Sequence, residues 1–198
     1  MSKRIRAHLL KCYPEAAWAF TESPLIAKLK PRDTSLAEAV VETVVGQMLS
    51  GKAADTIYSR LCLATKDRRL SGTWELGLDD LRACGLSRSK SRAILEFGEA
   101  LKASPTLVDG WRELPCDEMV KQVKGFWGMS EWTATILALF YLGHEDVFPK
   151  GDSSLNRALV AIAKKTKRRR LLDPEKAAPY RSYLALYLWT ALDSGVLR

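Results

Sequence analysis

The chain has 198 residues, and 31 lysines and arginines against 23 acidic residues leave a formal charge of +8. A hydrophobic fraction of 47% excludes disorder over most of the length, and a chain this long buries a core without disulfides. The positive balance points to a polyanion, either nucleic acid or an anionic membrane surface. The longest uncharged apolar stretch, Trp132 to Gly143, falls short of the roughly 20 residues that span a bilayer.

The N-terminus, Met1 to Arg6, is charged but leads into no apolar run. No signal peptide is therefore expected, and the expected setting is cytoplasmic or nucleoid-associated. Leu36, Val40, Val44 and Met48 recur every four residues and mark one face of a helix between Thr34/Ser35 and Gly51. Ala54, Ile57, Tyr58 and Leu61 continue in a second helix, and Ile94, Phe97 and Leu101 mark a third. Trp132, Ile136 and Phe140 share one face of a fourth, beside Thr133, Leu137 and Tyr141. Leu155, Leu159 and Ile162 give a fifth, and Tyr183, Leu184, Tyr187, Leu188 and Ala191 a sixth. No stretch alternates with period two, and no Asn-Gly or Asp-Gly hairpin turn occurs. Pro31, Pro105, Pro115, Pro149 and Pro174 fall between the helical runs, so the class read from the pattern is all-α with short connections.

Cys12, Cys62, Cys84 and Cys116 include no C-x-x-C pair, and His8 and His144 stand far apart. A zinc site, a disulfide framework and an iron–sulfur cluster are all disfavoured, and no metal held by side chains is expected. Two turns echo each other: Gly85-Leu86-Ser87 and Gly128-Met129-Ser130 each stand ahead of a helix. A helix start exposes backbone N–H groups at a positive dipole end, which suits a phosphate. An ordinary tight turn between helices explains either copy equally well.

The segment Phe126 to Ala134 resembles the hairpin of the helix-hairpin-helix DNA glycosylase superfamily, whose usual form is apolar-Pro-Gly-apolar-Gly-x-x-Thr-Ala. Val147 to Asp152 follows at the distance where that superfamily carries a catalytic aspartate. Val45 to Ala54 resembles its Gly-Gln-Gln-apolar-Ser helix end, and Gly85 to Ile94 its second turn. Pro179 to Tyr183, running on to Trp189, resembles the closing helix of the alkylated-base branch, closest to the 3-methyladenine DNA glycosylase II type. The resemblance covers roughly residues 34 to 192. It implies one glycosylase unit over 1–198 with two packed helical subdomains and a cleft between them. Residues 34–138, holding the hairpin 126–134, would form one, and 1–33 with 139–198, holding Asp152, the other.

The implied activity is hydrolysis of the bond between a damaged base and its sugar in double-stranded DNA. Positive charge builds on the sugar in that reaction, and a fixed carboxylate at Asp152 would stabilise it and orient water. By position alone Asp152 also reads as a helix N-cap. Lyase-type members carry a lysine where Trp132 stands, and an indole cannot form an imine, so a monofunctional enzyme leaving an abasic site is expected. Trp127, Trp132, Tyr141, Trp18 and Phe20 are candidates for the pocket of the flipped base, with core packing the competing role for each. Met48 is the candidate wedge into the base stack, with Gln47 beside it. Backbone groups of Gly128, Met129, Ser130 and Glu131, with Thr133 and Lys90, are the phosphate-binding candidates.

Trp127 and Ser130 depart from the usual proline and second glycine, which bears on DNA affinity and on the monovalent cation that the family hairpin often holds through backbone carbonyls. No other cofactor is expected, and the partner expected is damaged duplex DNA bound by a monomer. The run Lys164 to Arg170 carries six cations in seven residues and looks like a phosphate patch or a solvated loop. Two other readings stay open: a non-catalytic helix-hairpin-helix module that binds DNA, and a glycosylase for an oxidised or deaminated base.

Overall fold

The computed structural model describes residues 1–197, and among them there are ten α-helices and no strand. In chain order these are α1 (Ser2–Cys12), α2 (Ala17–Thr21), α3 (Leu36–Gly46), α4 (Gly51–Asp67) and α5 (Leu78–Ala83). There follow α6 (Arg88–Ala103), α7 (Cys116–Lys124), α8 (Glu131–Phe140), α9 (Ser153–Lys165) and α10 (Arg181–Asp193). Among the described residues no helix is long and apolar enough to cross a membrane. The chain forms two compact units, Met1–Pro31 with the stretch from Gly143 on, and Arg32–Leu142.

In the discontinuous unit, α10 is the central element. It buries Tyr183, Leu184, Ala185, Tyr187, Leu188 and Ala191, a pattern that surrounds the helix rather than striping one side. It packs on α9 and α2. α9 meets it with a single face, Leu155, Ala158, Leu159 and Ile162, whose three- and four-residue spacing is that of an amphipathic helix. α1 contributes Ile5 and Leu9, one helical turn apart. Phe20 is fully buried between the rings of Tyr13 and Tyr187, at 6.2 and 5.7 Å between centroids.

In the continuous unit, α3 takes the central place, packing against α4, α6 and α8. Val40, Val41, Val44 and Val45 are all buried, so this helix too is apolar nearly all round. Two of the helices around it begin at side-chain caps. Ser50 accepts from the Ala53 N–H at the start of α4, and Ser87 from the Lys90 N–H at the start of α6. Each cap satisfies a backbone donor that the helix itself cannot, worth about 0.5–2 kcal/mol. The four-residue repeat from Leu36 does not carry α3 through Met48. The helix stops at Gly46, and Gln47 is already extended at φ −50° and ψ 126°.

Candidate active site

Asp152 is the N-cap of α9, its Oδ1 accepting the Leu155 N–H at 2.8 Å. The positive end of the helix favours a charged carboxylate there. The Trp189 indole on α10 donates to the same oxygen at 3.2 Å, so two donors from two helices fix this group. The segment leading to Asp152 is laced to the start of α10. Arg181 donates from Nε to Asp146 Oδ1 at 2.8 Å and from Nη2 to Oδ2 at 3.1 Å. Burial pushes the Asp146 carboxyl up, but the Arg181 bonds and charge outweigh it and hold it below the ordinary range. Ser182 Oγ lies 2.7 Å from the His144 carbonyl and accepts the Val147 N–H at 3.0 Å. Ser182 and Trp189 are two turns apart, so one face of α10 templates both the segment and the carboxylate.

The hairpin is the turn between α7 and α8 in the continuous unit. Gly128 sits at φ +75°, and a Cβ there would stand 2.9 Å from the Ala93 Cβ on α6. Both the backbone sign and the close approach require glycine. Several phosphate-binding candidates are engaged within the hairpin itself. The Met129 N–H donates to the Phe126 carbonyl at 3.2 Å. Ser130 and Thr133 form a capping box, with the Ser130 N–H donating to Thr133 Oγ1 at 3.3 Å. Serine in place of glycine thus gives α8 a side-chain cap where the family pattern suggests bare N–H groups. Thr133 is fully buried, and Glu131 pairs with Lys124 at 3.4 Å across the hairpin.

The turn between α3 and α4 lies in the same unit. The Leu49 N–H donates to the Gly46 carbonyl at 3.2 Å. With Gln47 extended and Met48 at φ +56°, this is a type II turn, and Met48 holds the position usually given to glycine. Met48 is 92% exposed, so the competing core role is excluded. Gln47 Nε2 donates to the Gly128 carbonyl and to Thr133 Oγ1, both at 3.0 Å, and joins the turn to the hairpin. Lys90 differs from its expected part. Its ammonium does not project toward solvent but donates to the carbonyls of Val45 at 2.7 Å and Gln47 at 2.6 Å, and burial lowers its pKa.

The aromatic candidates divide. Phe20 is core, as described. Tyr141 is buried, with the Arg32 guanidinium 4.9 Å from its ring centre. Burial and the Glu42 carboxylate push its phenol pKa up. Trp18 carries the Lys165 ammonium over its ring at 3.8 Å, and Trp127 the Arg92 guanidinium at 4.1 Å. Trp132 is the second residue of α8 and half-buried. Trp189 is not among the pocket residues expected from sequence. Its membership of the Pro179–Trp189 segment is the available signal.

In the basic run Lys165 is spent on Trp18 and Arg168 on Glu15, while Lys164, Lys167, Arg169 and Arg170 are exposed. Among the described residues no cluster of three or more His, Cys, Asp or Glu is arranged to hold a metal.

The same helical fold occurs in the Schizosaccharomyces pombe 3-methyladenine DNA glycosylase solved with abasic DNA, at a TM-score of 0.78 and 20% identity over 96% of this chain and 97% of that one. In sequence the chain is 30% identical over 161 residues to DNA-3-methyladenine glycosylase 1 of Schizosaccharomyces pombe, covering 77% of this chain and 70% of the relative. It is also 30% identical over 179 residues to the probable bifunctional transcriptional activator/DNA repair enzyme AlkA of Mycobacterium tuberculosis, covering 84% of this chain and 35% of that protein. No family model matches. The chain belongs to the DNA-3-methyladenine glycosylase family.

Proposed function

We infer that this chain is a monofunctional N-glycosylase of base-excision repair that releases alkylated purines from duplex DNA. The observation that carries the reading is the Asp152 carboxylate, held by the Leu155 N–H and the Trp189 indole in a member of this family. Release of the base leaves electron deficiency at the sugar C1′ and its ring oxygen. A carboxylate already oriented stabilises that charge without reorganising, and it orients or deprotonates the water that attacks C1′. The base departs with the bonding electron pair. A purine that is already cationic through alkylation departs most readily.

Trp132 supplies no amine, so the product is an abasic site on an uncut strand. In this reading Met48 enters the stack vacated by the flipped nucleotide, supported by its exposure on a turn. The positive end of α8 faces a backbone phosphate. A monovalent cation on the hairpin carbonyls belongs to the same reading. Phe126 and Gly128 each accept one hydrogen bond through a carbonyl oxygen that carries two lone pairs. The ion would add positive charge where the phosphate approaches.

The test is base release from a panel of methylated, etheno, deaminated and oxidised duplexes. Asp152→Asn keeps an N-cap and is expected to fold and bind DNA while losing base release by at least about a hundredfold. Unchanged turnover in that variant on every accepted substrate refutes the role of Asp152. Binding without release from any duplex, by the native chain, moves the reading to the non-catalytic module. Trapping of a covalent complex by borohydride refutes the monofunctional reading.

A further inference from the structure

Met48 occupies a backbone conformation that its side chain disfavours, and nothing in its own contacts accounts for that, since it is 92% exposed. The cause lies one peptide earlier. In a four-residue turn, types I and II differ by a flip of the central peptide, which reverses the direction of its carbonyl. Here the central peptide joins Gln47 to Met48. In the type II form the Gln47 carbonyl meets the Lys90 ammonium at 2.6 Å. The same ammonium holds the Val45 carbonyl at 2.7 Å, in the last turn of α3, where helix carbonyls lack intrahelical partners and the dipole favours a cation. Both contacts are short, as charge-assisted bonds are. Burial lowers the Lys90 pKa, a cost to the ammonium that its two carbonyl bonds offset. The other half of the turn is anchored through the Gln47 side chain on Gly128 and Thr133.

We propose that Lys90 is a positioning residue for base flipping: it holds the Gln47–Met48 peptide in the type II orientation and so aims Met48 outward. Without the ammonium, the peptide turns over to type I, Met48 relaxes to negative φ, and its side chain leaves the line of the base stack. The proposal rests on the glycosylase reading for its functional half only. The conformational half concerns two residues in one unit of this protein. It also removes Lys90 from the set of phosphate ligands, although its place in the sequence suggests that role.

The experiment compares the native chain with Lys90→Met, Met48→Gly and the double variant. Glycine tolerates positive φ, so Met48→Gly keeps the type II turn without help from Lys90. Thermal unfolding is read first. Lys90→Met is expected to lower the melting temperature of the native chain and to have a larger effect in the Met48→Gly background, where turning the peptide over releases no strain. If Lys90→Met does not fold, Lys90→Gln takes its place in the cycle, and the same larger effect in the Met48→Gly background is required. An equal or smaller effect in the Met48→Gly background overturns the proposal.

Base release is read next. Lys90→Met is expected to lose about tenfold or more in kcat/KM on a paired duplex, but less than about threefold on a single-stranded or bulged lesion that needs no wedge. A 2-aminopurine beside the lesion is expected to report less unstacking. The slope of log K against log salt for DNA binding is expected to stay that of the native chain. A slope reduced by about one, with equal losses on paired and unpaired lesions, makes Lys90 a phosphate contact and overturns the proposal. If the native chain releases no base at all, the glycosylase reading fails, while the coupling of positions 48 and 90 in unfolding still decides the conformational claim.

Discussion

Gly128→Ala puts a single methyl group at the tightest point of the hairpin, and the structure gives both parts of its cost. The residue sits at φ +75°, where a non-glycine residue is disfavoured by about 1–2 kcal/mol. The new Cβ would stand 2.9 Å from the Ala93 Cβ, well inside the roughly 3.5–4.0 Å of a relaxed carbon contact. Overpacking of that kind costs about 1–3 kcal/mol. The sum is about 2–5 kcal/mol, or a fall in melting temperature of about 4–20 °C for a chain of this size. Ala93→Gly separates the two parts. It removes the atom that is struck and leaves the backbone sign untouched. The double variant is expected to recover about 1–3 kcal/mol relative to the sum of the single changes, with the φ cost remaining. Thermal unfolding followed by far-ultraviolet circular dichroism measures all four chains. A Gly128→Ala chain melting within about 2 °C of the native one, or strict additivity in the cycle, refutes the packing argument.

Trp189→Phe keeps an aromatic ring beside Asp152 but removes the indole N–H that bonds its Oδ1. A hydrogen bond to a charged group is worth about 1.5–3 kcal/mol, so kcat is expected to fall about 10- to 100-fold, with KM little changed. Steady-state base release checks this, and an unchanged kcat removes Trp189 from the carboxylate's support. Met48→Gly relieves the positive φ at position 48 and is expected to raise stability by about 1 kcal/mol, a gain of about 2–4 °C, while lowering release from paired duplex. A chain both destabilised and fully active contradicts both halves of that statement.

What the sequence discloses is local. The hairpin glycine, the aspartate ahead of a helix and the apolar faces of α6, α8 and α9 all leave a signature within a short stretch of chain. The repeat through Met48 misleads because a four-residue period continues by coincidence past Gly46, where the helix ends. Ser50, a good N-cap ahead of Gly51, is the clue that a new helix begins there. Lys90 misleads for a different reason. Its neighbours Gly85-Leu86-Ser87 look like a phosphate turn, yet its ammonium bonds carbonyls 43 and 45 residues away. Nothing in spacing reports where a four-carbon side chain ends. Trp189 escapes for the same cause, because its partner Asp152 lies 37 residues earlier and only the packing of α10 on α9 brings them together.

Under the proposed function Asp152 has a double employment, as helix cap and as catalytic carboxylate, with an evolutionary consequence. The oxygen that accepts the Leu155 N–H starts α9, and asparagine caps helices about as well as aspartate. The change that removes the negative charge is therefore nearly invisible to folding, and a single nucleotide substitution makes it. A duplicated copy of such a gene has a short, neutral road from enzyme to damage-recognition protein, with its hairpin and Met48 intact. Selection against that drift acts mainly on chemistry, since asparagine keeps the cap and gives up only the charge's contacts with the helix end and the Trp189 indole.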